Sequence, residues 1–315
     1  MTLHTRLTTL LGIEHPIIQG GMAWTATAEL SAAVSNAGGI GVIGAGHMPT
    51  ELLREQIRLA KTLTDRPFGV NLMLLTPHID DIVQLVLDEH VPMVTTGAGN
   101  PGKYMTALKD AGIKVIPIVP SVALAKRMES IGADAIIGEG MEAGGHIGEL
   151  TTMVLTPQLV DAVQIPVVAA GGIADGRGVA AAFALGAEGV QVGTRFMCAE
   201  ECTIHPAVKD EVIKAKDRDT IVTGRSTGHP VRVLKNKLAR QIMDLDRDNK
   251  PEEIEALGAG KLALAMRQGD IQMGSLMAGQ IAAMVCSIEP AADIVAEMMG
   301  EAERLMRAMP SKSGA

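Results

Sequence analysis

At 315 residues, with a net charge of −8 and 2% aromatic side chains, the chain reads as an acidic, aliphatic-rich globular protein. That balance excludes nucleic acid as a main partner, because phosphate binding needs clustered Lys and Arg. Three cysteines, Cys198, Cys202 and Cys286, do not make a disulfide framework and read as reduced and structural, which suits a cytoplasmic setting.

The N-terminus, from Met1 to Arg6, lacks the apolar core of a signal peptide. Short apolar runs then follow at 16–19, 39–43, 68–72, 92–96, 114–119, 134–137, 166–170 and 188–192. Continuous rather than alternating apolar runs are the mark of parallel strands buried on both faces. Helix-period segments lie between them, among them 27–37, 49–63, 80–89 and 121–131. Ser121 and the pair Thr156-Pro157 read as helix starts, and Ala111-Gly112, Ile131-Gly132 and Leu185-Gly186 as helix stops. The 19 Met residues read as core fillers.

Eight such units predict a (β/α)8 TIM barrel over residues 1–216. The rival, a doubly wound open sheet, would show a G-x-G-x-x-G turn, and Gln19-Gly-Gly-Met22 lacks that spacing. Residues 217–315 read as a C-terminal segment whose helices, at 253–285 and 289–309, cap the barrel as part of one functional unit. The longest apolar stretch, 271–285, is interrupted by Gln272, Ser275 and Gln280, is too short to span a membrane and reads as a buried helix.

In such a barrel, ligands bind at the C-terminal strand ends, and phosphate often binds after strands 7 and 8. Here those ends carry Gly171-Gly172 and Gly193-Thr194, two glycine turns with exposed backbone N–H groups. Asn71, Thr95, Thr96, Ser121, Glu139 and His146 stand at other strand tips. Polar residues at six strand tips predict a cofactor-sized site at the barrel mouth. The loop from Glu139 to Gly148 is glycine-rich and carries two carboxylates and His146, an imidazole able to exchange protons near neutral pH. A lone His on such a loop would ordinarily be a solvated turn residue.

Longer motifs narrow the reading. Gln19-Gly-Gly-Met-Ala-Trp24, Val34-Ser-Asn-Ala-Gly-Gly-Ile-Gly-Val-Ile-Gly44 and Pro67-Phe-Gly-Val-Asn-Leu-Met-Leu74 resemble the FMN-dependent nitronate monooxygenase/enoyl reductase superfamily. Val94-Thr-Thr-Gly-Ala-Gly-Asn-Pro101, Glu139-Gly-Met-Glu-Ala-Gly-Gly-His146, Thr223-Gly-Arg-Ser-Thr-Gly-His-Pro230 and Gly274-Ser-Leu-Met-Ala-Gly-Gln280 resemble FabK-type enoyl-acyl-carrier-protein reductases. The resemblance implies FMN at the barrel mouth, NADH or NADPH as reductant, and, as in some relatives, a monovalent cation. It implies Gly21, Met22 and Asn71 near the flavin ring, and Gly171, Gly172, Gly193 and Thr194 around its phosphate. Ser275 and Gln280 would close the site from the cap.

On this resemblance the expected activity is reduction of trans-2-enoyl-acyl carrier protein in fatty acid synthesis. His146 would polarise the thioester carbonyl or relay a proton, and Glu139 would orient a ligand or fix the His tautomer. No protein side chain is expected to act as a metal ligand. The alternative is a nitronate monooxygenase, with His146 removing a proton from a nitroalkane and oxygen accepting electrons. The basic run Arg225, Arg232, Lys235, Lys237 and Arg240 would dock the acidic acyl carrier protein, or serve as a solvated face. A homodimer is the expected assembly, with neither nucleic acid nor membrane as partner.

Overall fold

A computed structural model describes residues 3–46 and 48–308; Met309, in the expected second cap helix, lies outside them. The chain opens with α1 (Arg6–Leu11), β1 (Ile17–Gln19), α2 (Ala28–Asn36), β2 (Ile40–Gly44), α3 (Thr50–Leu63) and β3 (Gly69–Met73). It continues with α4 (Ile79–Asp88), β4 (Met93–Gly97), α5 (Gly102–Asp110), β5 (Lys114–Val119), α6 (Val122–Ser130) and β6 (Ile136–Glu139). After a two-residue strand, β7 (Gly145–His146), come α7 (Thr152–Ala162), β8 (Val167–Ala170), α8 (Gly176–Ala184), β9 (Gly189–Val192) and the short α9 (Thr194–Met197).

The closed barrel has the order β1-β2-β3-β4-β5-β6-β8-β9, with β9 pairing back onto β1 in parallel. All eight apolar runs are therefore its strands. Residues of β1, β2, β8 and β9 are buried throughout, which is why these segments carry no alternation of polar and apolar residues. The core is filled by Val, Ile, Leu, Ala and Met, with Phe196 the largest fully buried side chain.

Local signals placed most helix ends. The Ser121 hydroxyl accepts from Leu124 N at 3.4 Å and starts α6. Ala111, Ile131 and Leu185 are the C-caps of α5, α6 and α8. The start expected at Thr156-Pro157 is wrong: α7 begins at Thr152, and Pro157 lies inside it. The cause is a distant carboxylate. Both oxygens of Glu142 accept from Thr152 N at 3.0 Å, capping the helix from the preceding loop.

Beyond α10 (Pro206–Lys214), β10 (Thr220–Thr223) and β11 (Val231–Leu234) form an antiparallel hairpin, and β11 also pairs with β7. Then follow α11 (Lys237–Arg247), α12 (Pro251–Gly258), α13 (Lys261–Gln268) and α14 (Ala291–Ala308). The helix expected over 253–285 is instead α12, α13, an irregular segment and a 3-10 turn at Gln280–Met284. The backbone of 270–276 finds partners outside any helix. Asp270 Oδ1 accepts from Gln272 N and Met273 N at 3.0 and 2.8 Å, and Asn236 Nδ2 donates to the Ile271 and Gly274 carbonyls. Leu276 O accepts from Leu234 N at 2.8 Å.

α14 packs on α8 and α2, and its Glu301 accepts from Gly176 N, the first residue of α8, at 2.8 Å. Among the described residues no helix is long and apolar enough to cross a membrane. Cys198 and Cys202 are buried, and burial raises their thiols to about 12 and about 11. Cys286 is exposed, so it has no structural role of that kind.

Candidate active site

A cavity of about 1450 Å³ opens at the C-terminal ends of the barrel strands and continues beneath the cap. Gly21, Met22, Glu139, His146, Gly171, Gly172, Gly193, Thr194 and Ser275 all line it. Asn71 and Gln280 are not among its lining residues. Asn71 stands directly behind Gly21: a Cβ on Gly21 would fall on the Asn71 Cβ. Its Oδ1 accepts from Thr95 Oγ1 at 2.9 Å. Gln280 is exposed, and its backbone N–H donates to the Glu142 carbonyl at 2.9 Å, so it braces the loop after β6 rather than facing the cavity.

That loop is held on several sides. Gly140 N donates to Ala170 O at 2.9 Å and Met141 N to Leu150 O at 2.8 Å. Gly171 takes a φ of +90°, where a Cβ would sit 2.8 Å from the Gly140 carbonyl, so only glycine lets β8 end this close to the loop. Thr152 Oγ1 lies within 3.2 Å of Glu142 Oε2 and 2.8 Å of the Gly171 carbonyl. His146 does not sit in a free loop. It is half of β7, opposite Val231 on β11, and so is carried by the cap hairpin.

Arg232 explains how the hairpin grips this loop. Its side chain is buried, with Nε and Nη2 both donating to the Met141 carbonyl at 3.1 and 3.0 Å, and Nη1 donating to Thr220 Oγ1 at 3.3 Å. Burial lowers its pKa, with the nearby charge of Glu142 acting the other way. Arg232 is therefore not a docking residue: a residue that is 4% exposed cannot meet a partner surface. Arg225, Lys235, Lys237 and Arg240 are exposed.

The electrostatics of the cavity are one-sided. Glu139, Glu142, Glu255, His146 and His229 line it, and no Lys or Arg does among the described residues. With no cation to offset desolvation, Glu139 has its carboxyl pushed up to about 7. It is thus divided between neutral and ionised forms near neutrality.

Gln191, Trp24 and Glu142 line the cavity but were not among the sequence-based candidates. Gln191 on β9 is buried and its Oε1 has no hydrogen-bond partner among the described residues. Trp24 takes a positive φ of 59° and lies under the Arg267 guanidinium at 5.5 Å. Glu142 differs only in that its spacing from Thr152 offered no capping pattern.

The profile described as nitronate monooxygenase matches residues 4–84 and 78–301. The chain belongs to the nitronate monooxygenase family. Within that family it superposes on FabK from Thermotoga maritima with a TM-score of 0.94 and 51% identity, over 96% of this chain and 97% of that one. A probable nitronate monooxygenase from Staphylococcus saprophyticus is 37% identical, covering 89% of this chain and 92% of its own. From Rhodococcus jostii, a (3aS,4S,5R,7aS)-5-hydroxy-7a-methyl-1-oxo-octahydro-1H-indene-4-carboxyl-CoA dehydrogenase is 42% identical over 241 residues, 76% of this chain and 68% of that protein.

Proposed function

We propose that this family member is a flavoenzyme that reduces trans-2-enoyl thioesters on acyl carrier protein, with FMN as cofactor and NADH or NADPH as reductant. The observation that carries this reading is the match to FabK along nearly the whole of both chains. The Rhodococcus relative, whose name includes a carboxyl-CoA, adds a second protein linked to a thioester.

The residues present fit FMN. Gly21 packs so closely on Asn71 that no Cβ fits, and it presents bare backbone to the cavity, which suits close approach of a flat ring. Gln191 offers a buried amide oxygen in want of a donor. With no Lys or Arg lining the cavity, a phosphate would rest on the backbone N–H groups and hydroxyl of Gly171, Gly172, Gly193 and Thr194. Bound there, FMN supplies the hydride chemistry linking a nicotinamide to the β-carbon of the enoyl group.

The chain's own residues supply protons and charge. Reduction leaves the thioester α-carbon in need of a proton. Glu139, with a pKa of about 7, holds one to give at neutral pH, and a donor whose pKa lies near the working pH is the efficient kind. His146 polarises the thioester carbonyl from the β7 side. Glu139 is half-buried at the tip of β6, whereas His146 is exposed on β7. The exposed Arg225, Lys235, Lys237 and Arg240 offer an acidic carrier its counter-charge.

The 37% identical probable nitronate monooxygenase favours a second reading, oxidation of alkyl nitronates by oxygen with His146 as base. One comparison separates the two. The purified protein is expected to show a flavin spectrum that NADH or NADPH bleaches and crotonyl thioester restores. Oxygen consumption with a nitronate, without crotonyl-dependent oxidation of the nicotinamide, would move the assignment to the second reading.

A further inference from the structure

The cavity is larger than one cofactor requires. Ligand sites for a single small molecule span about 300–1,000 Å³, whereas this one holds about 1450 Å³. Its two ends also differ in chemistry. At the barrel end stand glycine backbone, Glu139, Gln191 and Thr194. At the cap end the walls are Leu238, Ala239 and Ile242 from α11, Ile254 from α12, and Leu262 and Met266 from α13. We propose that this cap-side lobe is the site for the alkyl chain of the acyl thioester, so that the enzyme selects medium and longer chains over short ones; the inference rests on the enoyl-reductase reading above.

An alkyl chain suits these walls better than the other large ligand of the reaction does. A dinucleotide carries a pyrophosphate, and the lobe offers it no Lys or Arg, only the carboxylate of Glu255. An alkyl chain needs no counter-charge and gains from every methylene it buries. The lobe's shape is also set in advance. Leu238 and Ala239 are each 2% exposed, Ile254 6% and Met266 1%, so its walls are held by packing on the rest of the cap. Ser275, Leu276 and Met277 line the same cavity and join the lobe to the barrel mouth.

Gly258 gives a means of filling the lobe without disturbing its walls. It lines the cavity, its φ is not in the left-handed region, and a Cβ there would meet nothing within 4 Å. The test uses holoenzyme and N-acetylcysteamine thioesters from crotonyl to decenoyl, which remove any contribution of the carrier. In the unaltered protein kcat/KM is expected to rise roughly fourfold per added methylene until the lobe is full. In Gly258→Leu and Ile242→Phe the ratio of octenoyl to crotonyl kcat/KM is expected to fall by about tenfold or more.

A second readout is independent of turnover. Trp24, the one Trp in the chain, lines the same cavity, so quenching of its emission reports binding of saturated acyl thioesters. Affinity is expected to rise with chain length. Measurable crotonyl turnover with a flat chain-length profile, or selectivity unchanged in both variants, would overturn the lobe assignment. Absence of crotonyl turnover in the unaltered protein would instead overturn the enoyl-reductase reading. Should the variants fail to fold, the affinity series on the unaltered protein still decides.

Discussion

Two carboxylates, the buried Glu89 on the outer shell and the half-buried Glu139 in the cavity, have been driven in opposite directions by their surroundings. Burial pushes Glu89 up, but hydrogen bonds from Lys61 at 3.0 Å and Arg58 at 2.9 Å outweigh it and hold the carboxyl below its ordinary range. Arg54 adds a longer contact at 3.5 Å. Glu139 feels burial alone and rises to about 7. The outer shell thus neutralises its buried acid with three cations from α3, while no Lys or Arg among the described residues lines the cavity. An acid left without a cation in a low-dielectric site keeps its proton available, which is the condition for proton transfer.

The contrast is open to breakage. The largest effect is expected from Glu139→Gln, which removes the proton donor: enoyl turnover should drop by about a hundredfold or more. In the unaltered enzyme activity should decline as pH rises through about 7, where Glu139 ionises, and the variant should lose that inflection. A pH profile of kcat/KM in which the inflection survives the substitution would separate Glu139 from the proton step.

Next is Arg232, a buried cation on β11, which spends its donors on the Met141 carbonyl and Thr220. Arg232→Met leaves that carbonyl without its charged donor and should cost about 2–4 kcal/mol in urea unfolding. It should also slow turnover, because β7 and His146 lose the brace that joins them to the loop. Full activity in a stable variant would show that the brace does not position His146.

Glu89→Gln should cost about 1 kcal/mol and leave turnover unaltered. The two acids also predict opposite slopes of stability against pH. Glu89, held low, contributes stability above the ordinary carboxylate range and loses it as pH falls through its folded value. Glu139, held high, makes the fold less stable as pH rises from the ordinary carboxylate range to about 7, with no further change above. Thermal midpoints of Glu89→Gln and Glu139→Gln across that range would expose each slope by its loss.

The smallest effect concerns the exposed basic residues. Reversing Lys237 and Arg240 should weaken carrier-linked substrates a few-fold, roughly, and less so at high salt, while small thioesters are unaffected. Equal losses on both substrates would count against docking at α11.

Eight barrel strands and most helix ends were legible because their causes are local. A run such as Pro166-Val-Val-Ala-Ala170 states its burial on both faces, and Ser121 caps the helix that follows it in sequence. The glycines at strands 1, 7 and 8 likewise pointed to one cavity, because a barrel brings all its strand ends to one side. Where the reading went astray, the partner was far away along the chain. Glu142, ten residues before Thr152, caps α7 and starts it four residues before the expected Thr156, Asn236 and Leu234 take the hydrogen bonds that would have made 271–285 a helix, and the Met141 carbonyl in the loop after β6 takes the Arg232 guanidinium. By itself the sequence determined the barrel and the polar residues at its mouth, through periodicity and strand-end chemistry. Only tertiary structure decided which of those residues face the cavity and which acid goes without a cation, because both depend on charges and hydrogen bonds between segments distant in sequence.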